Sequence, residues 1–368
     1  MAAATCNIKD NIKDNNNNAS LTLSASAAPV SSSIDGQENT ALIKTLSSVF
    51  RKATIVVGRH FNALLRGSSR PSIASTDSNS SLSPPSSPIP TPISAAYDYK
   101  VVKKVGDGTT ANVYLVKSKQ DNRTLAMKVI NKTYIHGLTS ANKPLSEQIV
   151  QEVKVLRAVA GDGQCHTLSI VSAFHDSVNM YIVTERCITD LWELWKEFDH
   201  QFPMVLLKTY AAQIAVGLSA LHDAGIIHRD IKPENIFIAA DGRAVVGDFG
   251  MAYRLEAQKS DDPPTTRGLC GTLNYAAYEM LRDEEYSYPV DWFSYGVLLH
   301  VLLNKCYVWD SEDREELVRQ MQMIPVSIHP ARGDAYHIQT LISGLLDLDA
   351  DTRYGADEIK THPFFWNW

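Results

Sequence analysis

Residues 226–237 read IIHRDIKPENIF, with apolar pairs on both sides of His228, Arg229, Asp230, Lys232, Glu234 and Asn235. Apolar flanks bury themselves and carry the polar residues between them toward low-dielectric surroundings, where each charge needs a partner or a task. A fold that accepts this segment must build a polar site at the edge of its core. Thirteen residues past Asn235, the run VVGDFG places Asp248 behind a second apolar stretch. Asp230, Asn235 and Asp248 are oxygen donors of the kind Mg²⁺ prefers. Asp230 can accept a proton from an attacking hydroxyl, and Lys232 can neutralise charge on a travelling phosphoryl group. That transfer depends on alignment and charge stabilisation more than on covalent help.

The 368 residues suffice for a large core and more than one domain. A formal net charge of −6 supplies no general basic field, so nucleic acid is not expected as a partner. The charge is uneven: residues 1–95 hold 8 Lys/Arg against 5 Asp/Glu, a net +3, which leaves −9 for the remainder. Five scattered cysteines, Cys6, Cys165, Cys187, Cys270 and Cys306, form no C-x-x-C pair. They point to a reducing compartment and away from a disulfide framework or a zinc site. No run approaches 18 apolar residues, so no spanning helix is expected. The start MAAATCNIKDNIKDNNNN lacks the basic and apolar blocks of a secretory signal. A cytoplasmic or nuclear location is the resulting expectation.

Residues 1–96 read as a low-complexity tail. Its Asn/Ser/Ala-rich beginning and the stretch SSLSPPSSPIPTP bury too little apolar area to offset ordering entropy, and both are expected to be disordered. Ser83, Ser87 and Thr91 each precede proline and are candidate sites for proline-directed kinases acting on this chain. Between these stretches, residues 41–67 repeat apolar positions at roughly helical spacing, with Lys44, Arg51, Lys52, Arg59 and Arg66 mainly elsewhere. The segment reads as a basic amphipathic helix that rests on the main domain, lies on an anionic membrane or docks a regulatory partner. Binding to anionic liposomes at low salt separates the second reading from the others. Gly58 interrupts the pattern.

From Tyr97 the texture changes. YKVVKKV, NVYLVK and TLAMKVI read as strands, residues 145–159 as a helix, and SIVSAF and MYIVTE as further strands; after Asp190 helices dominate. Strands followed by helices predict an α+β chain with two lobes. In VGDGTTANV, Gly106 and Gly108 free the backbone to present amides to a phosphate, although an ordinary hairpin reads the same way. The pattern lies between two strands, which does not suit a dinucleotide fingerprint. Lys128 interrupts an apolar strand, so its ammonium needs water or a partner, and Glu152 of QEVKVL is available.

Together the Gly-rich loop, LAMK, the helix glutamate, HRDIKPEN, DFG, GTLNYAAYE, DWFSYG and RYG resemble the eukaryotic protein kinases over about residues 97–366. HRDIKPEN with Lys232 looks like the serine/threonine type. LAMKVINK, GLCGT, VDWFSYGVLLHVLL and IKTHPFFWNW resemble the AGC group. The resemblance implies a kinase domain over 97–368, with a small antiparallel sheet lobe and one main helix at 97–184. A hinge follows at 185–189, then a large, mostly helical lobe at 190–366. It implies ATP and Mg²⁺ as cofactors and protein substrates as partners. Gly106, Asp107 and Gly108 cover the phosphates in this reading, and Val113 and Ala126 enclose adenine above Phe237. Lys128 meets the α- and β-phosphates and pairs with Glu152. Thr184 is the gatekeeper, Glu185 and Cys187 supply hinge backbone, and Asp190 meets the ribose. Asp230 is the catalytic base, aided by Lys232; Asn235 and Asp248 bind metal; Asp291 anchors the catalytic loop; Glu279 pairs with Arg353. Leu156, Ile170, His228 and Phe249 form a spine joining the lobes. The implied activity is protein serine/threonine phosphorylation. The alternative is a pseudokinase that binds nucleotide or only scaffolds.

The sequence departs from the family pattern in several places. Ala111 replaces the third loop glycine, and Tyr278 replaces the proline of A-P-E, which alters the expected docking of substrate. The residue that AGC kinases phosphorylate aligns with Gly268, which has no hydroxyl, yet Arg229 is of the kind that receives such a phosphate. Thr266, with Thr265 beside it, is expected either to supply the switch or to lie in a loop ordered without one. AGC kinases usually continue into a tail over the small lobe; this sequence stops at Trp368, so either residues 41–67 or a partner are expected to steady that lobe, or the AGC label does not hold.

Overall fold

The computed structural model describes residues 98–107, 111–135, 139–140, 143–160, 166–255, 264–326 and 335–366. The tail, its basic segment 41–67, Ser83, Ser87, Thr91 and Gly108 lie outside the described residues. The small lobe is a five-stranded antiparallel sheet in the order β1-β2-β3-β7-β6. Its strands are β1 (Tyr99–Asp107), β2 (Ala111–Ser118), β3 (Thr124–Asn131), β6 (Ile170–His175) and β7 (Asn179–Glu185). A short helix α1 (Lys132–Ile135) and the pair β4 (Thr139–Ser140) and β5 (Lys143–Pro144) lead into α2 (Leu145–Ala158).

The period-2 alternation of the strands sorts this sheet into two faces. Leu125 and Met127 of β3 join Val116, Phe174 and Val183 in a small buried cluster on one face. Ala126 and Lys128 take the other face, where the register aligns Val113 with Lys128 and Ile182, and Leu115 with Ala126 and Thr184. The lysine therefore points away from the outer cluster and toward the second lobe. Helix α2 lies on that side. It buries Ile149, Glu152, Val155, Leu156 and Val159, one helical stripe with a carboxylate in it.

The chain leaves β7 into β8 (Cys187–Asp190), and Asp190 caps α3 (Leu191–Glu197) by accepting the Glu193 N–H. Beyond it lie α4 (Met204–Asp223), β9 (Ile226–Ile227), β10 (Ile236–Ala239), β11 (Ala244–Val246) and β12 (Tyr253–Arg254). Five more helices complete the lobe: α5 (Tyr278–Leu281), α6 (Pro289–Asn304), α7 (Arg314–Met323), α8 (Ala335–Leu345) and α9 (Ala356–Thr361). Helix α6 is buried from Val290 through Leu302, and the Tyr295 hydroxyl donates to the Ala211 carbonyl of α4 at 2.9 Å. An all-round apolar helix belongs at the centre of a large lobe. Helix α4 is long and apolar enough to cross a membrane by length and composition, which the count of uninterrupted apolar residues did not reveal. Here most of it is buried inside the protein, because an apolar helix packs equally well against other helices.

The result is the two-lobed α+β architecture expected from the sequence. One core runs through both lobes: Leu156 from α2, His228 and Phe249 are buried, with Ile170 packed against the same cluster and the His228 and Phe249 rings 5.5 Å apart.

Candidate active site

The segment 226–237 turns between β9 and β10 at the top of the large lobe. Its backbone is fixed from beneath by Asp291 of α6, which is fully buried. The Asp291 carboxylate accepts the His228 N–H and the Arg229 N–H, each at 2.8 Å, and the His222 Nε2–H, also at 2.8 Å. Burial pushes this carboxyl up, but the bonds to His222 and the nearby His228 outweigh that and hold it below its ordinary value. The anchored turn puts Arg229 at φ 68°, a left-handed conformation that costs a non-glycine residue energy and persists where the surroundings determine it.

Asp230 emerges from this turn into a ring of polar contacts. Asn235 Nδ2 donates to its carbonyl at 2.7 Å and to its Oδ2 at 2.9 Å. The Lys232 ammonium is 3.2 Å from Oδ2. On the other oxygen, Oδ1 accepts both the Thr272 N–H at 2.9 Å and the Thr272 hydroxyl at 2.8 Å, while Lys232 donates to that same hydroxyl at 2.7 Å. Burial raises the Asp230 carboxyl, yet Lys232, Thr272 and His228 together pull it below its ordinary value. The group is a carboxylate, ready to accept a proton.

Thr272 was not singled out from the sequence, although GTLNYAAYE was. It lies 42 residues from Asp230, and only tertiary structure brings them together. The one local trace is the preceding Gly271, at φ +79°, where an added Cβ would meet the Arg229 carbonyl at 2.3 Å. The other missed residues are His222, which orients Asp291, and Gly247. A Cβ on Gly247 would meet the Phe237 ring at 2.7 Å, so the glycine lets that ring sit flat beside β11.

Across the cleft, Lys128 Nζ donates to both Glu152 oxygens, at 2.8 and 2.9 Å. The Glu152 side chain is 9% exposed and Lys128 33%. Burial lowers the Lys128 pKa, but Glu152 and then Asp248 more than offset it, and the ammonium stays charged. Asp248 thus faces Lys128 from the large lobe. It holds φ 55° and ψ 71°, left-handed like Arg229, while Phe249 behind it is buried on His228. The next segment is fastened at its far end by Glu279 and Arg353, a bidentate pair at 2.7 and 2.9 Å with the guanidinium over the Phe293 ring.

A family model for the protein kinase domain matches residues 99–365, well over half of the chain. The chain belongs to the protein kinase family. It is 31% identical to serine/threonine-protein kinase SCH9 of Saccharomyces cerevisiae over 278 residues, which cover 73% of this chain and 32% of that protein. It is 29% identical to protein kinase C zeta type of Oryctolagus cuniculus, covering 73% of this chain and 45% of the relative. It is also 29% identical to the cAMP-dependent protein kinase catalytic subunit of Arthrobotrys oligospora, covering 73% and 50%. The chain spans a third to a half of the length of these relatives. They are serine/threonine kinases of the AGC group, whose motifs this kinase domain shares.

In kinase terms the remaining expected site residues divide by position. Val113, Ala126 and Thr184 share the cleft-facing side of the sheet, and Phe237 of β10 pairs with Asp190 of β8 on the opposite side. Gly106 pairs with Val113 at the end of the β1–β2 ladder; Asp107 pairs with Asn112, and Gly108 lies outside the described residues. The Glu185 carboxylate turns away to accept the Ser169 N–H at 3.0 Å, with Arg243 at 3.6 Å, which leaves hinge backbone rather than side chain for a ligand. Cys187 pairs with Ala239, and burial pushes its thiol up to about 12. The Asp190 carboxylate is occupied with its helix cap, so contact with a ribose requires it to share that bond.

Kinases use ATP and a divalent metal. Among the described residues no group of three or more His, Cys, Asp or Glu side chains forms a closed cation cage. The donor set fits a metal that arrives with its nucleotide. Asn235 commits its Nδ2 to Asp230, which leaves its Oδ1 for a cation, and Asp248 adds a carboxylate. Mg²⁺ suits one or two protein oxygens because it keeps waters and takes phosphate oxygens.

Proposed function

We propose that this chain is an active protein serine/threonine kinase that transfers the γ-phosphoryl group of Mg-ATP to protein hydroxyls. The observation that carries the reading is the closed Lys128–Glu152 pair with Asp248 beside it, opposite an ionised Asp230. A scaffold has no use for an ammonium held by a carboxylate over a cleft, so a pseudokinase is the weaker account.

Lys128, fixed by Glu152, holds the α- and β-phosphates. Asn235 and Asp248 would hold Mg²⁺, whose positive charge would offset the negative charge of the phosphates. Asp230 orients the substrate hydroxyl and accepts its proton; Thr272 and Lys232 set the direction of the carboxylate. Lys232 lies on the path of the phosphoryl group and balances its charge. Asp291 and His228 keep the loop rigid, so none of this order is lost to reorganisation during transfer. Exposed Glu234 favours substrates with a basic residue before the target hydroxyl.

The test is phosphate transfer from ATP to a peptide library by the purified full chain. Asp230→Asn is expected to lower kcat by roughly 10²- to 10⁴-fold, since it removes a positioned base. Equal transfer by that variant overturns the assignment.

A further inference from the structure

Arg229 follows His228 in the anchored turn, and its guanidinium reaches Met251, Tyr253 and Tyr286. Nε donates to the Met251 carbonyl at 2.8 Å, the guanidinium carbon sits 5.2 Å from the centre of the Tyr253 ring, and Nη1 donates to the Tyr286 hydroxyl at 3.3 Å. That hydroxyl in turn donates to the Gly268 carbonyl at 2.7 Å. Tyr286 is 3% exposed. Its backbone is tied to the same segment from the other side: the Thr266 N–H donates to the Tyr286 carbonyl at 2.9 Å, and the Tyr286 N–H to the Thr266 carbonyl at 2.8 Å.

Burial lifts the Tyr286 hydroxyl to about 12, with Arg229 acting against the rise, so it is neutral and protonated at any physiological pH. A neutral hydroxyl can do what is needed here, because it accepts from a guanidinium on one side and donates to a carbonyl on the other. Of the nearby hydroxyls, that of Thr265 is poorly placed for a charged alternative, while Thr266 lines one cavity with Arg229, Arg267 and Lys154. Thr265 donates its hydroxyl to Glu285 at 2.9 Å, and a phosphate there would face that carboxylate. Arg267 is engaged with the Asp283 carbonyl at 2.7 Å and faces solvent. At 268 there is no side chain at all.

We propose that the Tyr286 hydroxyl, bridging Arg229 to the Gly268 carbonyl, is the positioning group that orders residues 264–272 over the catalytic loop in the unphosphorylated chain. Its importance follows from what lies downstream. Gly268 leads within four residues to Thr272, which holds Asp230 through two hydrogen bonds. A slack segment at 268 therefore loosens the carboxylate at 230. The inference rests on the proposed kinase activity for one of its readouts and on backbone protection alone for the other.

The experiment uses the full chain, treated with phosphatase and confirmed phosphate-free by intact mass. Transfer to the peptide substrate is expected to stay within about twofold of the untreated protein, and Thr265→Ala and Thr266→Ala likewise. Tyr286→Phe keeps the ring and removes one oxygen; it is expected to lower kcat roughly tenfold while the KM for ATP moves less than about twofold. In an Arg229→Lys background the same change is expected to add little, since the two residues act through one bridge. Hydrogen exchange of residues 264–272 is expected to quicken about tenfold in Tyr286→Phe. Full kcat in Tyr286→Phe, or activity lost with phosphatase and restored by phosphate on Thr265 or Thr266, overturns the proposal. If the wild-type chain transfers no phosphate, the kinase reading fails, and unchanged exchange in Tyr286→Phe then overturns the bridge on its own terms.

Discussion

Asp291 and Lys128 both serve the cleft, and they are held in different ways. Asp291 is fully buried in α6 and accepts three hydrogen bonds from groups on two neighbouring elements. Lys128 is a third exposed and has one carboxylate partner, carried by α2. The lobes around them differ in the same sense. One core fills the large lobe and reaches α2 and the inner face of the small sheet, whereas the outer face of that sheet buries a separate cluster of only five residues and β1 exposes Val101, Val102 and Val105. The large-lobe half of the site is thus fixed by folding itself. The small-lobe half depends on where α2 places Glu152, through one ion pair.

That contrast is open to direct attack. The largest effect is expected for Asp291→Ala, which strands the buried His228 N–H, the part-buried Arg229 N–H and His222; urea denaturation should show a loss of about 3 kcal/mol or more. A loss under about 1 kcal/mol would mean the loop is held by something else. Next, Glu152→Gln should lower kcat/KM about 10- to 100-fold, because a charged hydrogen bond is replaced by a neutral one, with less than about 1 kcal/mol lost in stability. A stability loss as large as that of Asp291→Ala would erase the distinction between the lobes.

The smallest effect is a pH slope within the large lobe. His362 caps the turn before Phe364 with Nδ1 and contacts Thr340 with Nε2. Burial and then His337 push its pKa below the ordinary 6.5. The unfolded chain therefore takes up a proton before the folded one does, so stability rises with pH through this range and falls as pH drops below about 6.5. The loss from pH 7 to 5.5 should be less than about 1 kcal/mol and should shrink in His362→Asn, which keeps a capping acceptor. An unchanged slope in that variant assigns the effect to other groups.

Much of the cleft could be read along the chain because its residues come in short blocks. HRDIKPEN and DFG each carry their chemistry within a few positions, and Lys128 stands out as a charge in an apolar strand. The helix over residues 145–159 was legible too, but which of its positions face the core was decided by packing: Ile149, Val155, Leu156 and Val159 are buried together with Glu152. Thr272, His222 and Tyr286 were not legible as partners. Each reaches a side-chain partner 42 to 69 residues away in the chain, and such contacts leave no periodicity.

Residue type and spacing alone determined which groups can do chemistry here: a carboxylate base, an amide and a carboxylate for metal, an ammonium for phosphate, and two lobes to carry them. Tertiary structure decided which way those groups face. It brought Thr272 to Asp230, put Asp291 under the turn, and gave Arg229 a neutral tyrosine instead of a charged partner. The physical reason is that side-chain chemistry is a property of each residue, whereas the direction of a hydrogen bond is fixed only when distant segments pack against one another.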